Sequence, residues 1–179
     1  MPRLPYKSDD DAGPAEIVAP IRARRGGTLL HLDRQLLYSP PFAAGWNALL
    51  GAVRGALGLP ARLREIAICT VATINRAPYE FHHHAPLLRA AGASEAQVEA
   101  LREWTSADDA ERLALFDAAE QATIRLAIEM TRSVQVSDAA FDAARAALGD
   151  DRQLVELVGT IAAYNMVSRV IVALAIEPE

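Results

Sequence analysis

The feature that most constrains the fold of this chain is the stretch of residues 59–92, where an apolar run leads into three adjacent histidines. Its first half has the spacing of a buried helix that begins after Pro60. The residues that set this spacing are Leu63, Ile66, Ala67, Thr70, Val71 and Ile74. The other faces are nearly as apolar, because they carry Ile68, Cys69 and Ala72. The pattern therefore predicts a helix in the middle of the fold rather than on its surface.

Glu65 is the exception in this apolar helix, and two interpretations of it stay open. Its side chain could reach solvent beside Arg62 and Arg64. Alternatively it stays inside the protein, where the loss of contact with water raises the pKa of a carboxyl group. The spacing alone does not choose between an exposed and a buried carboxylate.

The second half of the stretch is predicted to be another helix, which opens near Pro78 and ends at Gly92. Glu80 and His84 are four residues apart, so they share one face of this helix. Pro86 lacks an N–H group, so the helix is expected to kink beside the histidines. A kink, a carboxylate–imidazole pair and a second, nearby carboxylate together predict a small polar pocket within an apolar bundle.

Helical periodicity also dominates the remainder of the chain, and no run of alternating β-branched residues indicates a strand. Helices are predicted for residues 29–38, 42–57, 94–104, 108–130, 139–148 and from 150 or 151 onward. The fold class is therefore all-α, a compact bundle of about six to eight helices. Trp46 lies on the inner side of its helix, either as a core residue or as part of the pocket lining.

The domain organisation is predicted to be simple. Residues 1–26 form an extended N-terminal arm, and residues 27–179 form one helical domain. The arm contains prolines and an acidic run, which favour an extended or disordered chain, and it could pack on a neighbouring subunit. A chain of 179 residues can bury a core of its own without disulfides or metals.

The charge and the apolar pattern of the chain indicate which partners and which cellular compartment to expect. A net charge of −5 and a pI near 5.4 disfavour nucleic acid and anionic membranes as partners. The first residues lack the apolar core of a signal peptide, so a cytoplasmic location is expected. The final helix is long and apolar, but Glu156, Asn165 and Arg169 interrupt it, which disfavours a membrane span. Its excess of apolar surface instead suggests a homo-oligomer.

The central residues resemble those of the carboxymuconolactone decarboxylase family, whose larger superfamily includes the alkyl hydroperoxidase D type proteins. The resemblance covers residues 29–174 and is densest in the segments RLREIAI, APYE and HHAPLLRAAGASEAQVEAL. In the peroxidase branch, a Cys-x-x-Cys pair stands where this chain has Ala77 and Glu80, so both cysteines are missing here. The histidine and the proton-relay glutamate of that branch match His84 and Glu65.

A second branch of the family is more similar to this chain. In that cysteine-free, decarboxylase-like branch a Tyr-Glu pair precedes a His-His pair, as Tyr79 and Glu80 precede His83 and His84 here. The resemblance implies a helical fold, trimers or hexamers, and a decarboxylase-like proton transfer on a small lactone or carboxylic acid.

The residues suggest how such a reaction could be divided among side chains. In this hypothesis His84 is the general acid, because a poised imidazole can protonate the carbon that loses carbon dioxide. Glu80 fixes its tautomer and supports its positive form, and Glu65 completes the relay. The predicted substrate-binding residues are Tyr79, His83 and Trp46.

Two other functions compete with this one. Thiol peroxidase chemistry needs a reactive thiolate, and the only cysteine, Cys69, falls in the apolar helix, where a thiol is inert. A metal site is disfavoured because consecutive residues of a helix point about 100° apart, so the three histidines cannot converge on one ion. No metal or cofactor is therefore predicted. A protein that binds a small molecule or a metal without catalysis stays the alternative.

Overall fold

The computed structural model describes residues 1–104 and 109–179, and over these residues the fold is all-α, as predicted. The described residues form ten helices rather than the six to eight expected. The helices are α1 (Ala15–Arg25), α2 (His31–Leu36), α3 (Pro40–Gly55), α4 (Ala61–Ile74), α5 (Pro78–Ala90), α6 (Glu95–Arg102), α7 (Ala110–Leu113), α8 (Ala118–Ser133), α9 (Asp138–Leu148) and α10 (Asp151–Leu174).

The chain divides into two compact units. Unit 1 consists of Met1–Leu57 together with Ile171–Glu179, and unit 2 is Gly58–Val170. Unit 1 therefore contains α1 to α3 and the last residues of α10, and unit 2 contains α4 to α9 and most of α10.

The core of unit 2 is built around α4, as its apolar pattern predicts. This helix packs against α5, α6 and α8. Ile66 and Cys69 of α4 are fully buried together with Leu88 of α5 and Leu101 of α6. Burial of one such aliphatic side chain contributes about 1.5–3 kcal/mol, so an apolar helix of this composition is stable only in the interior.

The turn between α4 and α5 places the two helices side by side. Arg76 has a φ of 53°, a left-handed conformation that ends α4 sharply. The N–H of Ala77 donates to the carbonyl oxygen of Ala72 over 2.8 Å, which satisfies one of the last carbonyl groups of α4. Pro78 then opens α5, since its missing N–H is not needed in the first turn.

The helix predicted for residues 108–130 is in fact two helices, α7 and α8. Asp117 caps α8: its carboxylate accepts from the N–H of Glu120 over 2.9 Å, and its own N–H donates to the Glu120 carboxylate over 3.0 Å. Apolar spacing continues across this break, so periodicity alone predicted one helix, whereas the capping box sets the start of α8. Asp108, the predicted first residue, lies outside the described ranges.

The N-terminal arm is shorter than predicted. Ala15–Arg25 is helical rather than extended, and Gly26, with a φ of 77°, ends it in the left-handed conformation. Pro14 immediately precedes this helix and Glu16 lies in its first turn, both favourable at a helix start. Within unit 1 the preceding chain is bound to the C-terminal residues, since the N–H of Arg3 donates to the carbonyl of Leu174 over 3.0 Å.

The last helix, α10, is long and apolar enough to cross a membrane by length and composition, a test that core helices of globular proteins also pass. Two of its polar residues are bound within unit 2. Glu156 accepts from the N–H of Leu59 over 2.7 Å. The amide of Asn165 donates to Thr131 over 3.0 Å and accepts from Asn75 over 3.1 Å.

We predict that Asp117→Ala destabilises the protein through loss of the α8 cap. The substitution leaves the N–H of Glu120 without its carboxylate acceptor. Loss of such a cap costs about 1 kcal/mol, which corresponds to a fall in Tm of about 2–4 °C for a chain of this size. Thermal unfolding followed by circular dichroism measures it.

The matched control is Asp142→Ala, which removes an exposed aspartate from the body of α9, where it caps nothing. Its Tm is expected to equal that of the parent within error. Equal melting of the Asp117→Ala variant and the control would contradict the assigned role of the cap.

Candidate functional site

The centre of the candidate site is a buried contact between α4 and α5. Nδ1 of His84 lies 2.7 Å from Oε2 of Glu65. The exposed fractions of the two residues are only 5% and 2%. An ionised carboxylate can only accept hydrogen bonds. Nδ1 of His84 therefore carries the proton and donates a hydrogen bond to Glu65.

Glu65 is buried, and it also contacts an arginine. Each of the two interpretations from the sequence, an exposed carboxylate beside arginines or a buried one, was therefore correct only in part. Its Oε1 accepts from Nε of Arg64 over 3.1 Å. Removal from water would raise the pKa of Glu65, but the hydrogen bond and charge of His84, followed by those of Arg64, outweigh it. The pKa of Glu65 is therefore lowered, and the expectation that burial would raise it was wrong. The sequence could not show that His84 contacts Glu65 and turns the shift of its pKa from upward to downward.

Glu80 does not pair with His84 as predicted. The hydroxyl of Ser168 on α10 lies 2.9 Å from its Oε2, and its Oε1 has no hydrogen-bond partner among the described residues. Burial raises the pKa of Glu80 well above its usual range, and the Ser168 hydroxyl offsets only part of this rise. Glu80 and His84 do lie one turn apart on α5, as their spacing predicted. Glu65, however, is the carboxylate that binds Nδ1 of His84, which is the position that the sequence assigned to Glu80.

Two residues of α10 belong to the site and were not found from the sequence. The rings of Tyr164 and His84 lie edge to face, with centroids 4.9 Å apart and planes at 87°. Tyr164 and Ser168 are one helical turn apart, as are Glu80 and His84, so one pair of positions on α10 faces one pair on α5. The available signal was two hydroxyl-bearing residues four positions apart in a largely apolar helix.

Tyr79, His82 and His83, the neighbours of His84 on α5, differ in exposure and in contacts. Tyr79 is buried, and its ring lies 4.4 Å from the half-buried ring of His83. His82 is exposed. The substrate-binding roles assigned to Tyr79 and His83 stay predictions. Within the described ranges, no group of three or more His, Cys, Asp or Glu residues has the arrangement of a metal site.

Cys69 is a core residue, as predicted. It is fully buried one turn after Glu65 on α4. Burial raises the pKa of its thiol strongly, and the negative charge of Glu65 raises it further. The thiol is therefore protonated near neutral pH, where a thiol is a poor nucleophile.

Trp46 lies in unit 1, whereas the other predicted site residues lie in unit 2. It is buried on α3, with its ring edge to face with that of Phe42 at a centroid distance of 5.8 Å. Its assignment to the core is confirmed. Its assignment to substrate binding stays a prediction.

We predict that Glu80→Gln changes how stability depends on pH. Because the folded pKa of Glu80 is raised, the folded state binds the proton more tightly, and stability falls as pH rises from 4.5 through that folded value. Glutamine does not titrate, so the free energy of unfolding of the variant should rise relative to the parent across this range. Urea unfolding at several pH values from about 5 to 9 measures the difference.

Glu111→Gln, at an exposed position of α7, serves as the matched control for this titration. Its stability should follow the parent curve at every pH. Parallel curves for Glu80→Gln and the parent would show that Glu80 has the same pKa in the folded and unfolded states.

The central part of the chain is similar to a known protein family. The model of the carboxymuconolactone decarboxylase family matches residues 40–123, which include Glu65, Glu80 and His84. No curated protein matches the sequence significantly.

Several solved structures share the fold. An uncharacterized peroxidase-related protein from Silicibacter sp. TM1040 has a TM-score of 0.81 and 21% identity, over 99% of this chain and 92% of the other. A peroxidase-related protein with an alkylhydroperoxidase AhpD core, from Ralstonia eutropha JMP134, has a TM-score of 0.80 and 17% identity. The match covers 100% of this chain and 93% of the other.

A third neighbour has a more specific description. The debrominase Bmp8, as a cysteine-to-alanine variant in complex with 2,3,4-tribromopyrrole, has a TM-score of 0.76 and 17% identity, over 97% of this chain and 90% of the other. At these identities the structural likeness establishes the fold alone. Residues 40–123 therefore match the carboxymuconolactone decarboxylase family, and the chain as a whole has the AhpD-like fold.

Proposed function

We propose that the protein catalyses a decarboxylase-like proton transfer on a small lactone or carboxylic acid, with His84 as the general acid and Glu65 as its partner. The observation that carries the proposal is the buried 2.7 Å contact between Nδ1 of His84 and Oε2 of Glu65. A carboxylate that holds Nδ1–H leaves Nε2 as the ring nitrogen that exchanges a proton with the substrate.

The reaction requires one proton to be delivered to carbon. The bond between the substrate carbon and its carboxylate breaks, carbon dioxide leaves, and the electron pair spreads into an adjacent unsaturated carbonyl group. Imidazolium Nε2–H of His84 then protonates the carbon, and water returns a proton to His84 before the next turnover.

Glu65 supports this cycle through charge and orientation. Because the pKa of Glu65 is lowered, its carboxylate stays negative near neutral pH and stabilises the imidazolium form of His84. The hydrogen bond also fixes the ring of His84 in one orientation, and the edge-to-face contact with Tyr164 limits its rotation from the side of α10. Glu65 thus has the role that the sequence analysis gave to Glu80.

Binding without catalysis is the second candidate, and the absence of a usable thiol favours it over peroxidase chemistry. Peroxide reduction through a cysteine needs an accessible thiolate, whereas Cys69 is fully buried and its pKa is raised. The structural neighbour Bmp8 is described as a debrominase, and the same argument disfavours any debromination by this chain that would need a cysteine thiolate.

The assembly and location of the protein are also proposals. We infer a cytoplasmic homo-oligomer, a trimer or hexamer as the family resemblance implies, that acts on a small molecule without a nucleic acid or membrane partner. Support comes from the acidic net charge and from exposed apolar side chains such as Val155 and Phe141.

The test of the proposed function is release of carbon dioxide from γ-carboxymuconolactone by the purified protein. His84→Ala is expected to lower kcat by about 10²–10⁴-fold with little change in KM, because it removes the proton donor. Glu65→Gln should cause a smaller loss, since glutamine can still hydrogen-bond Nδ1 but carries no charge.

His82→Ala is the matched control, because it removes an exposed imidazole from the same helix two residues away. It should leave kcat near the parent value. If the parent releases no carbon dioxide from this lactone or from other small unsaturated acids, yet binds one of them and keeps that binding in His84→Ala, the binding function replaces the catalytic one.

A further inference from the structure

The hydroxyl group of Ser168 has two acceptors and one proton. Its Oγ lies 2.9 Å from Oε2 of Glu80 and 2.8 Å from the carbonyl oxygen of Tyr164. If Glu80 were ionised, that single proton would be the one hydrogen bond that its two oxygens receive from the described residues, whereas the Tyr164 carbonyl, inside α10, also accepts from the helix backbone. A buried carboxylate with so few donors is strongly unfavourable.

A neutral Glu80 removes this shortage of protons. When Oε2 carries a proton, it donates to Oγ of Ser168, and the Ser168 hydroxyl donates to the Tyr164 carbonyl. Each oxygen of these three groups then has a partner except Oε1 of Glu80, which is buried and has no hydrogen-bond partner within the described ranges.

The groups around Glu80 are consistent with a neutral acid. On α10 it faces the hydroxyl of Ser168, and on α4 a titratable group within electrostatic reach is the neutral thiol of Cys69. On its own helix, His84 lies one turn away and is bound to Glu65, which already carries the negative charge of the site. No arginine or lysine forms an ion pair with Glu80 in the part of the chain that the structure describes.

We propose that Glu80 is a neutral carboxylic acid that donates a hydrogen bond from Oε1 to the substrate oxygen on which negative charge develops, with Ser168 as its positioning residue. This inference rests on the proposed function and assigns a catalytic role to Glu80 that differs from pairing with His84.

The hydroxyl of Ser168 allows Glu80 to donate its hydrogen bond either to Ser168 or to a substrate. In the free protein the proton lies on Oε2 and points to Ser168. When a substrate oxygen approaches, the carboxyl group turns by half a rotation about its Cγ–Cδ bond, so that the protonated oxygen takes the position of Oε1, and the Ser168 hydroxyl rotates from the Tyr164 carbonyl to donate to the other oxygen. Both arrangements fit the 2.8 and 2.9 Å distances, so neither needs a movement of the backbone.

Glu80 and His84 then have different tasks in one reaction. As carbon dioxide leaves, the electron pair of the broken bond moves onto a carbonyl oxygen, and Glu80 stabilises that oxyanion while keeping its own proton. His84 supplies the proton that forms the new carbon–hydrogen bond. The substrate class is therefore an acid whose departing carboxylate is conjugated with a carbonyl oxygen, as in an unsaturated lactone acid.

The first test measures the protonation of Glu80 by infrared spectroscopy near neutral pH. A protonated carboxylic acid has a carbonyl stretching band that a carboxylate lacks. The band is expected in the parent and in Glu65→Gln, and it should disappear only in Glu80→Gln. Absence of the band in the parent, or its survival in Glu80→Gln, would overturn the proposal.

The second test compares kcat of two substitutions at Glu80 with γ-carboxymuconolactone. Glu80→Ala removes the donor and is expected to lose about 10²–10³-fold. Glu80→Gln keeps a neutral N–H donor and should stay within about tenfold of the parent. It should also lack the fall in activity at alkaline pH that ionisation of Glu80 causes in the parent. Equal loss in both variants would overturn the donor role.

The two tests separate failure of this inference from failure of the proposed function. If the parent has no turnover, the proposed function and the donor role of Glu80 fail together, whereas the infrared band still decides whether Glu80 is neutral. If the parent is active but Glu80→Gln behaves like Glu80→Ala, the proposed function stands and the inference about Glu80 is wrong. Glu111→Gln should match the parent in both measurements.

Discussion

The hydrogen bond between His84 and Glu65 organises the polar interior of unit 2. It joins α4 to α5 at a depth where neither residue has more than 5% of its surface exposed. An unpaired charge at that depth would destabilise the fold, so each group depends on the other. Arg64 adds a second donor to Glu65, and Tyr164 packs against the histidine ring. The same contact that makes burial tolerable also fixes the imidazole in the orientation that proton transfer needs.

The two buried glutamates show how the surroundings set the charge of a carboxyl group. Glu65 and Glu80 are equally buried, but Glu65 has a cationic partner and a lowered pKa, whereas Glu80 has only a serine hydroxyl and a raised pKa. Opposite shifts in neighbouring carboxyl groups are typical of active sites in which one group is charged and the other is a proton donor. The proposed division of labour between His84 and Glu80 follows from this difference.

Much of the fold was predictable from the sequence because its signals are local. The apolar spacing of α4 predicted its central position. Helices α6 and α9, capped by Ser94 and Ser137, begin within one residue of the predicted starts at 94 and 139. The site was predictable only in part. Periodicity relates residues of one helix, so it linked Glu80 to His84 but could not show that Glu65 reaches Nδ1 from another helix. Ser168 was missed for the same reason, because its partner is 88 positions away in the sequence.

The burial of Cys69 has a practical consequence for the study of this protein. The thiol lies inside α4 at zero exposure, beside both buried glutamates. A thiol-specific reagent can modify it only when the chain opens far enough to expose the centre of unit 2. The rate of labelling at Cys69 therefore reports the opening free energy of the helix that carries Glu65, independently of any substrate. Since this is the single cysteine of the chain, the signal comes from one defined position in the interior.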